Sequence, residues 1–386
     1  NRLQDQTKEL GVAEDLLECL NVLMRKVPGG LALSVTLMGT IMAATTGIIG
    51  ASVVMMTLLA LPVMLRRNYD PSLATGTIAA SGTLGILIPP SIMLVLMSDL
   101  LSVSVGNLFL AAIIPGLLLA SLYTIYIFVR CQMQPHLAPP LPDAEAVHGT
   151  EMVRMMVRSF IPPVFLIVLV LGSIFAGFAT PTEAAGVGAV GATFLALVKG
   201  RLKWDVLKDV CERSALTGAM LFFLFAGATV FSYVFRSLGG DDLVIDLVDS
   251  AGLGAWGVLF LLMLIVFILG FFFDWVEITL IVLPIFAPVI AQLDFGDHLA
   301  VAGIGPTETQ VLTWFAVMVA VNLQTSFLTP PFGFALFYLK GVAPKSITIQ
   351  QIYKGIIPFV ILQVIGLLLV MYFPELALWM PNTILE

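Results

Sequence analysis

Two apolar segments of this chain are broken in the same way. The first reads "SGTLGILIPPS" (Ser81–Ser91) and the second "QTSFLTPPFGF" (Gln324–Phe334). Each sets hydroxyls and small residues beside an adjacent proline pair, Pro89–Pro90 and Pro330–Pro331. A proline pair removes two backbone donors and pushes the preceding residue out of the helical region. In hydrocarbon every N–H and C=O must find a partner, so irregular backbone persists only where protein buries it or where it lines a polar cavity. Any fold of this chain must enclose both breaks.

Composition shows that hydrocarbon is the relevant solvent. The chain is 59% hydrophobic and 11% charged over 386 residues, with a mean hydropathy of +1.04, whereas soluble domains carry about 25% charged residues. Its apolar runs reach the roughly 20 residues that span a bilayer core. These numbers predict an all-α polytopic membrane protein. The net charge of −7 includes no basic block that would suit a nucleic acid. Cys19, Cys131 and Cys211 lack metal-ligand spacing, and His136, His148 and His298 form no cluster, so no haem, zinc or iron–sulfur cofactor is expected.

Along the chain we expect an amphipathic arm over 1–27 and a first repeat over 28–130. That repeat holds a re-entrant hairpin at about 43–65, with its tip near Thr46–Gly50, and a broken helix at 71–100. A polar linker, 131–158, leads to a second repeat over 159–386, with a hairpin at about 273–293 and a broken helix at 310–339. A charged amphipathic stretch at 201–213 precedes a span at about 215–235. Both halves share an order: apolar span, hairpin-like segment with a Leu-Pro (Leu61–Pro62, Leu283–Pro284), Pro-Pro break, further span. The second half carries an inserted loop at 294–309. Weak internal symmetry with paired interrupted segments points to the binding site of a secondary transporter.

The chemistry of the breaks fits that role. Freed carbonyls and the hydroxyls of Ser81, Thr83, Thr325, Ser326 and Thr329 are hard oxygen donors suited to a small alkali cation. The half-helix that resumes after each break aims N–H groups and a positive dipole end at the gap, which suits a carboxylate. The plainer reading is two proline kinks with small residues for helix packing; two matched breaks, each after a hairpin-like segment, weigh against it. Asp274 and Glu277 lie in "GFFFDWVEITLIVLP". Carboxylates at membrane depth are costly and mark function, and a spacing of three lets one helix face carry both. They are expected to coordinate an ion or anchor the hairpin; the alternative sets them at the hairpin mouth, near the headgroups. Glu183 in "TPTEAAG" reads as a helix-capping carboxylate. Arg213 and Arg236 bracket a Phe-rich span as end anchors, and either is able to attract an anionic substrate.

Other classes leave less trace. There is no GxGD aspartate pair, HExxH or Ser–His arrangement for an intramembrane enzyme, and re-entrant breaks do not demand the continuous pore of a channel. Lys340, Lys345 and Lys354 precede the last span and no Lys or Arg follows it. By the positive-inside rule that span runs from cytoplasm to periplasm, leaving "PELALWMPNTILE" outside.

The stretches "ELGVAEDLLE", "VPGGLAL", "AASGTLGILIPPSIMLV", "FATPTEAAGVGAVGA" and "TSFLTPPFGFALFYLKG" resemble the large membrane subunit of tripartite ATP-independent periplasmic (TRAP) transporters, from about Gly11 to Pro381. "LGILIPPS" together with "TPTEAAG" is the specific combination. The family usually has further apolar spans before "GVAEDLLE", where residues 1–10 here are polar. The resemblance implies sodium-coupled uptake of an organic acid, typically a carboxylate, across the bacterial inner membrane. It also implies delivery by a periplasmic substrate-binding protein and a small four-helix membrane subunit. The implied fold has inverted repeats with two re-entrant hairpins and two Pro-Pro-broken helices in an elevator-type ion transporter. Carried over residue by residue, sodium sites would use Thr45, Thr46 and Gly47; Ser81, Gly82, Gly85 and Pro89; and Thr325, Ser326, Thr329, Pro330 and Gly333. The alternative within transport is a related sodium/carboxylate symporter of elevator type that works without a binding protein.

Overall fold

The structure, a computed structural model, describes residues 11–24, 27–46, 49–139, 150–198, 200, 202–250, 252–304, 306–331 and 333–384. Among them are sixteen α-helices and no strand. In chain order they are α1 (Gly11–Met24), α2 (Gly30–Thr46), α3 (Ile49–Arg66), α4 (Pro71–Thr83), α5 (Ile92–Leu101), α6 (Val105–Met133), α7 (Thr150–Phe175) and α8 (Pro181–Val198). They continue with α9 (Trp204–Ser237), α10 (Gly240–Ser250), α11 (Ala255–Leu269), α12 (Trp275–Ala291), α13 (Glu308–Ser326), α14 (Phe334–Val342), α15 (Ile349–Tyr372) and α16 (Glu375–Ile384). Five of the described helices, α3, α6, α8, α9 and α15, are long and apolar enough to cross a membrane. The protein is a multi-pass membrane protein.

Both proline pairs fall between helices. In the first broken element α4 passes through a 3₁₀ turn, Leu84–Ile86, and resumes as α5. In the second, α13 ends at Ser326 and α14 starts at Phe334. Local sequence sets the starts. Asp70 accepts the Leu73 N–H at 2.9 Å with Pro71 at the first helical position, while Thr307–Gln310 and Thr348–Gln351 form capping boxes on α13 and α15. The two leading segments are also the most enclosed part of the protein. Every residue from Leu73 to Thr83 and from Gln310 to Ser326 is buried, as a helix apolar or small all round requires.

A helical hairpin clasps each broken element. The first has arms α2 and α3, and the second has arms α11 and α12 joined by the turn at 270–274. Each hairpin therefore includes the apolar span before it: the first arm starts at Gly30 rather than about 43, and the second hairpin starts at Ala255 rather than about 273. Arms of 15 to 18 residues reach about 22–27 Å, and each pair turns back on itself where its tip meets the opposite repeat. Residues 204–213 of the expected amphipathic stretch and the following span form one helix, α9. Residues 134–139 and 150–158 of the expected linker are respectively a short connection and the first turns of α7; 140–149 lie outside the described residues.

The repeats are inverted. The first hairpin opens beside the end of α6, where Gly29 and Asp70 donate to the Ala138 and Leu137 carbonyls at 3.1 and 2.8 Å. The second opens beside the end of α15: Trp256 stacks on Tyr372, and the His298 ring bonds the Met371 carbonyl at 3.0 Å. The halves also interlock, with α14 on α3, α12 on α5 and α15 on α4. The last contact brings backbones together. A Cβ on Gly355 would lie 2.1 Å from the Ser72 carbonyl oxygen, and one on Gly76 would lie 2.2 Å from that of Gly355. At the periphery, α9 has no buried residue and α8 has only Ala184 and Gly191.

Gly355→Val must separate α4 from α15. We expect it to lower stability by about 3 kcal/mol or more, read as loss of monodisperse protein or a clear fall in melting temperature in detergent. A wild-type melting curve would show that this contact is loose.

Candidate functional site

The first hairpin holds the first break from both arms. From α2, Thr36 receives the Ser81 hydroxyl at 3.3 Å, and Gly39 leaves no room for a Cβ, which would meet Ser81 at 2.7 Å. From α3, Val53 would meet a Cβ on Gly82 at 2.4 Å. The second hairpin repeats the arrangement. Asn322 of α13 donates to the Met263 carbonyl of α11 at 2.7 Å, and a Cβ on Gly270 at the tip would meet Ser326 at 2.4 Å.

The hydroxyls point their hydrogens inward along their own helices. Thr83 donates to Ala80 at 2.8 Å, and Thr325, Ser326 and Thr329 donate to the carbonyls of Asn322, Leu323 and Thr325 at 2.6 Å. A hydroxyl that has given its proton still offers acceptor lone pairs, which is the state a cation ligand needs. The broken backbone is partly satisfied by short turns. Leu87 and Ile88 donate to Leu84, Leu328 and Thr329 donate to Thr325, and Ala335 donates to Phe327.

Between the two clasped breaks lies a cavity of about 170 Å³. Both hairpin tips line it, through Ile49–Gly50 and Asp274–Val276. Both breaks do too, through Ile86 and Ile92 and through Phe327 and Phe334, and α9 closes it with Thr217, Met220 and Leu221. Gly50 at the first tip abuts the Tyr338 ring of α14, where a Cβ would meet Cζ at 2.9 Å. Each tip thus meets machinery of the opposite repeat.

The expected site residues divide accordingly. Ser81, Gly82, Gly85 and Pro89 are buried in the first break. Thr325, Ser326 and Gly333 are buried in the second, where Thr329 is half-buried and Pro330 exposed. The two oxygen-rich sets face their own hairpins and flank the cavity rather than merging in it. Asp274 lines the cavity, at the N-cap of α12. Glu277 lies one turn on and away from it, its Oε2 buried without a partner. Thr45 and Thr46 end α2; their side chains, and Gly47, lie outside the described residues. Glu183 accepts from the Thr180 N–H and hydroxyl at 2.8 and 2.9 Å, as its capping role requires.

Sequence reasoning passed over Gln324. It is fully buried, and neither its Oε1 nor its Nε2 has a partner. Thr77 of α4 has a buried, unpartnered hydroxyl as well. The signal was available, since Gln324 opens the second quoted stretch, but an amide draws less notice than the prolines behind it.

A family model for the tripartite ATP-independent periplasmic transporter, DctM component, matches residues 6–376. The chain belongs to this family. The C4-dicarboxylate TRAP transporter large permease protein DctM of Pseudomonas aeruginosa is 31% identical over 375 residues, covering 96% of this chain and 82% of that one. The sialic acid TRAP large permease SiaM of Vibrio cholerae is 29% identical over 323 residues, 83% of this chain and 70% of its own. The ectoine TRAP large permease TeaC of Halomonas elongata is 27% identical over 369 residues, 95% and 81%. In fold, the YdaH transporter of Alcanivorax borkumensis superposes with a TM-score of 0.60 at 17% identity, over 96% of this chain and 84% of that one. This TRAP large permease is therefore one component of a tripartite secondary transporter, and these relatives bear the names of transporters rather than of enzymes.

An unpartnered buried amide costs roughly 1–3 kcal/mol. Gln324→Leu should thus hold or raise the melting temperature of this TRAP permease. A marked fall would show that the amide is bonded in the folded protein.

Proposed function

We propose that this permease couples sodium entry to uptake of a carboxylate-bearing organic acid across the bacterial inner membrane. In this reading it receives the substrate from a periplasmic binding protein and works with a small four-helix membrane subunit. The observation that supports it is the pair of hairpin-clasped breaks on either side of one cavity. A sodium ion has hard oxygen preferences like those of other small cations. Each break offers hydroxyl lone pairs and backbone carbonyls within a few residues, one set at Ser81–Pro89 and one at Thr325–Gly333. The cavity between them meets the N-terminal ends of α5 and α14, where N–H groups and dipoles favour a carboxylate. Binding the cations would draw the hairpins onto the breaks and shape the cavity for the anion, which is a direct route to coupling.

Asp274 stands where cation and anion meet, on the second tip and at the cavity wall. Its charge would help hold the tip closed over a bound cation. The elevator reading assigns the clasped core, α2–α5 and α11–α14, to the moving part and α7–α10 to the support. The thin packing of α8 and α9 against the rest fits that division.

Charge supports the orientation. Arg66, Arg67, Arg130, Lys340, Lys345 and Lys354 all sit near the face where the first hairpin opens, which supports reading that face as the cytoplasmic one. A reporter active only in the cytoplasm should accordingly be silent when fused after Glu386; activity there would invert the topology.

The test of coupling is uptake of a C4-dicarboxylate, sialic acid or ectoine, each with its matching binding protein, by the assembled transporter in proteoliposomes. Uptake should require an inward sodium gradient, and equal uptake with potassium would sink the sodium reading. Asp274→Asn should reduce uptake about tenfold or more while the protein inserts and purifies normally. A mutant with wild-type rate and sodium dependence would return Asp274 to a purely structural role.

A further inference from the structure

The wall of the tip cavity is poor in the groups that would hold a second negative charge. Of the thirteen described residues that line it, only Thr217, Asp274, Trp275 and Tyr338 carry a side-chain nitrogen or oxygen, and none is Lys, Arg or His. The remainder is hydrocarbon, thioether or glycine. The cations nearest along the chain are engaged elsewhere. Arg213, one turn before Thr217, pairs with Asp209 at 2.9 Å, and Lys340 of α14 donates to the Ile347 carbonyl. The oxygen-rich sets of the two breaks face their own hairpins rather than the cavity. An adjoining cavity of about 740 Å³, reached past Ile92 and Leu221, has the same character, with Asp99 the one charged residue among its described lining.

One carboxylate finds partners here. The N-terminal end of α14 offers N–H groups and the positive end of its dipole. Tyr338 lies on the same helix with the hydroxyl end of its ring at the first tip, where a Cβ on Gly50 would meet Cζ at 2.9 Å. A second carboxylate on the same molecule would face hydrocarbon or the Asp274 carboxyl group. Removing a charge from water without a partner is the most costly kind of burial, and a like charge nearby adds repulsion. An apolar body meets the opposite situation, because its surface and the wall both leave water. Size sets the scale of that body. An apolar cavity of about 150 Å³ accommodates a benzene molecule, and the tip cavity measures about 170 Å³.

We propose that the tip cavity selects a monocarboxylate with an apolar body about the size of one ring, and rejects dicarboxylates. The proposal rests on the reading of this permease as an organic-acid transporter and narrows the acid. Hand-over from a binding protein delivers the substrate, and the cavity acts as a second filter after delivery. A body longer than the tip cavity has room to extend past Ile92 and Leu221, still among apolar side chains.

The test measures binding to the full chain in detergent without a binding protein, whose own selectivity would otherwise be read. Melting temperature is followed against rising phenylacetate or succinate, both as choline salts, at fixed sodium and ionic strength, and the shifts give apparent Kd values. Phenylacetate should bind about tenfold or more tighter than succinate. Thr217→Arg places the missing cation on the cavity wall in a form that matches a carboxylate, and should move the ratio about tenfold toward succinate. Ile92→Trp fills the space for the apolar body and should weaken phenylacetate about tenfold. The ligand-free melting temperature of each variant reports its folding. Succinate binding as tightly as phenylacetate overturns the proposal, as does the lack of any shift with phenylacetate at millimolar concentration. A ratio that neither variant moves puts the binding elsewhere and overturns it too. A phenylacetate preference identical in potassium and sodium would sink the coupling reading and leave this one standing, whereas sodium-dependent binding that favours succinate would do the reverse.

Discussion

The unsatisfied backbone of two proline-broken helices is the constraint from which the rest of the architecture follows. A broken helix in lipid would expose several carbonyls with no partner, each costing a few kcal/mol. Turn hydrogen bonds recover some of them at Leu84, Thr325 and Phe327. The remainder must be enclosed, and a hairpin that enters from one side and stops at mid-depth encloses a mid-depth break without adding a full crossing. Glycine and serine at the contacts, Gly39 on Ser81 and Gly270 on Ser326, let the enclosing helices approach closely where larger side chains would hold them away. The same features that make the breaks tolerable also gather oxygen atoms in a dry place.

Inversion of the repeats then does geometric work. Two hairpins entering from opposite faces bring their tips to the same depth, where each tip meets the other repeat: Gly50 meets Tyr338 of α14, and α12 packs on α5. A cavity at that junction belongs to neither repeat. A change that moves one tip is felt by both breaks through shared walls, which is the mechanical basis a coupled transporter requires. The Gly76–Gly355 contact fixes α4 to α15 outside this junction, so a tip has a firm backing to move against.

Much of this was legible in the sequence because lipid leaves few options. The proline pairs marked both breaks to within a residue or two, and their recurrence announced the repeat. The hairpin boundaries were less legible. The run from 28 to 66 is largely apolar, and a span followed by a hairpin at about 43–65 fits it as readily as the single hairpin with arms α2 and α3 that is observed. Periodicity cannot separate these, since an arm and a span differ only by a turn or two of helix. The flanking oxygen sets were visible as Ser and Thr beside Pro, but their division between two hairpins was not, because each hydroxyl's facing helix is set by tertiary packing. Gln324 stood in the quoted stretch, but a buried amide within a wholly buried helix has no periodicity to single it out.

The two breaks are alike in plan but not in access. At the first, Ser91 closes the gap: its hydroxyl donates to the Ile86 carbonyl and accepts from the Leu94 N–H at 3.4 Å, and Pro89 is buried. At the second, the N-cap of α14 is Gly333, which brings no side chain to the helix terminus, and Pro330 and Pro331 are exposed. A serine that satisfies the helix end from within the chain also competes for the N–H groups an anion would use. The helix end after the second break carries no such competitor. Of the two half-helix ends, that of α14 therefore leaves its N–H groups more open to an acceptor than that of α5. Pseudo-symmetry supplied two equivalent frames, and a single change at the cap, Ser91 against Gly333, is enough to make their helix ends chemically different.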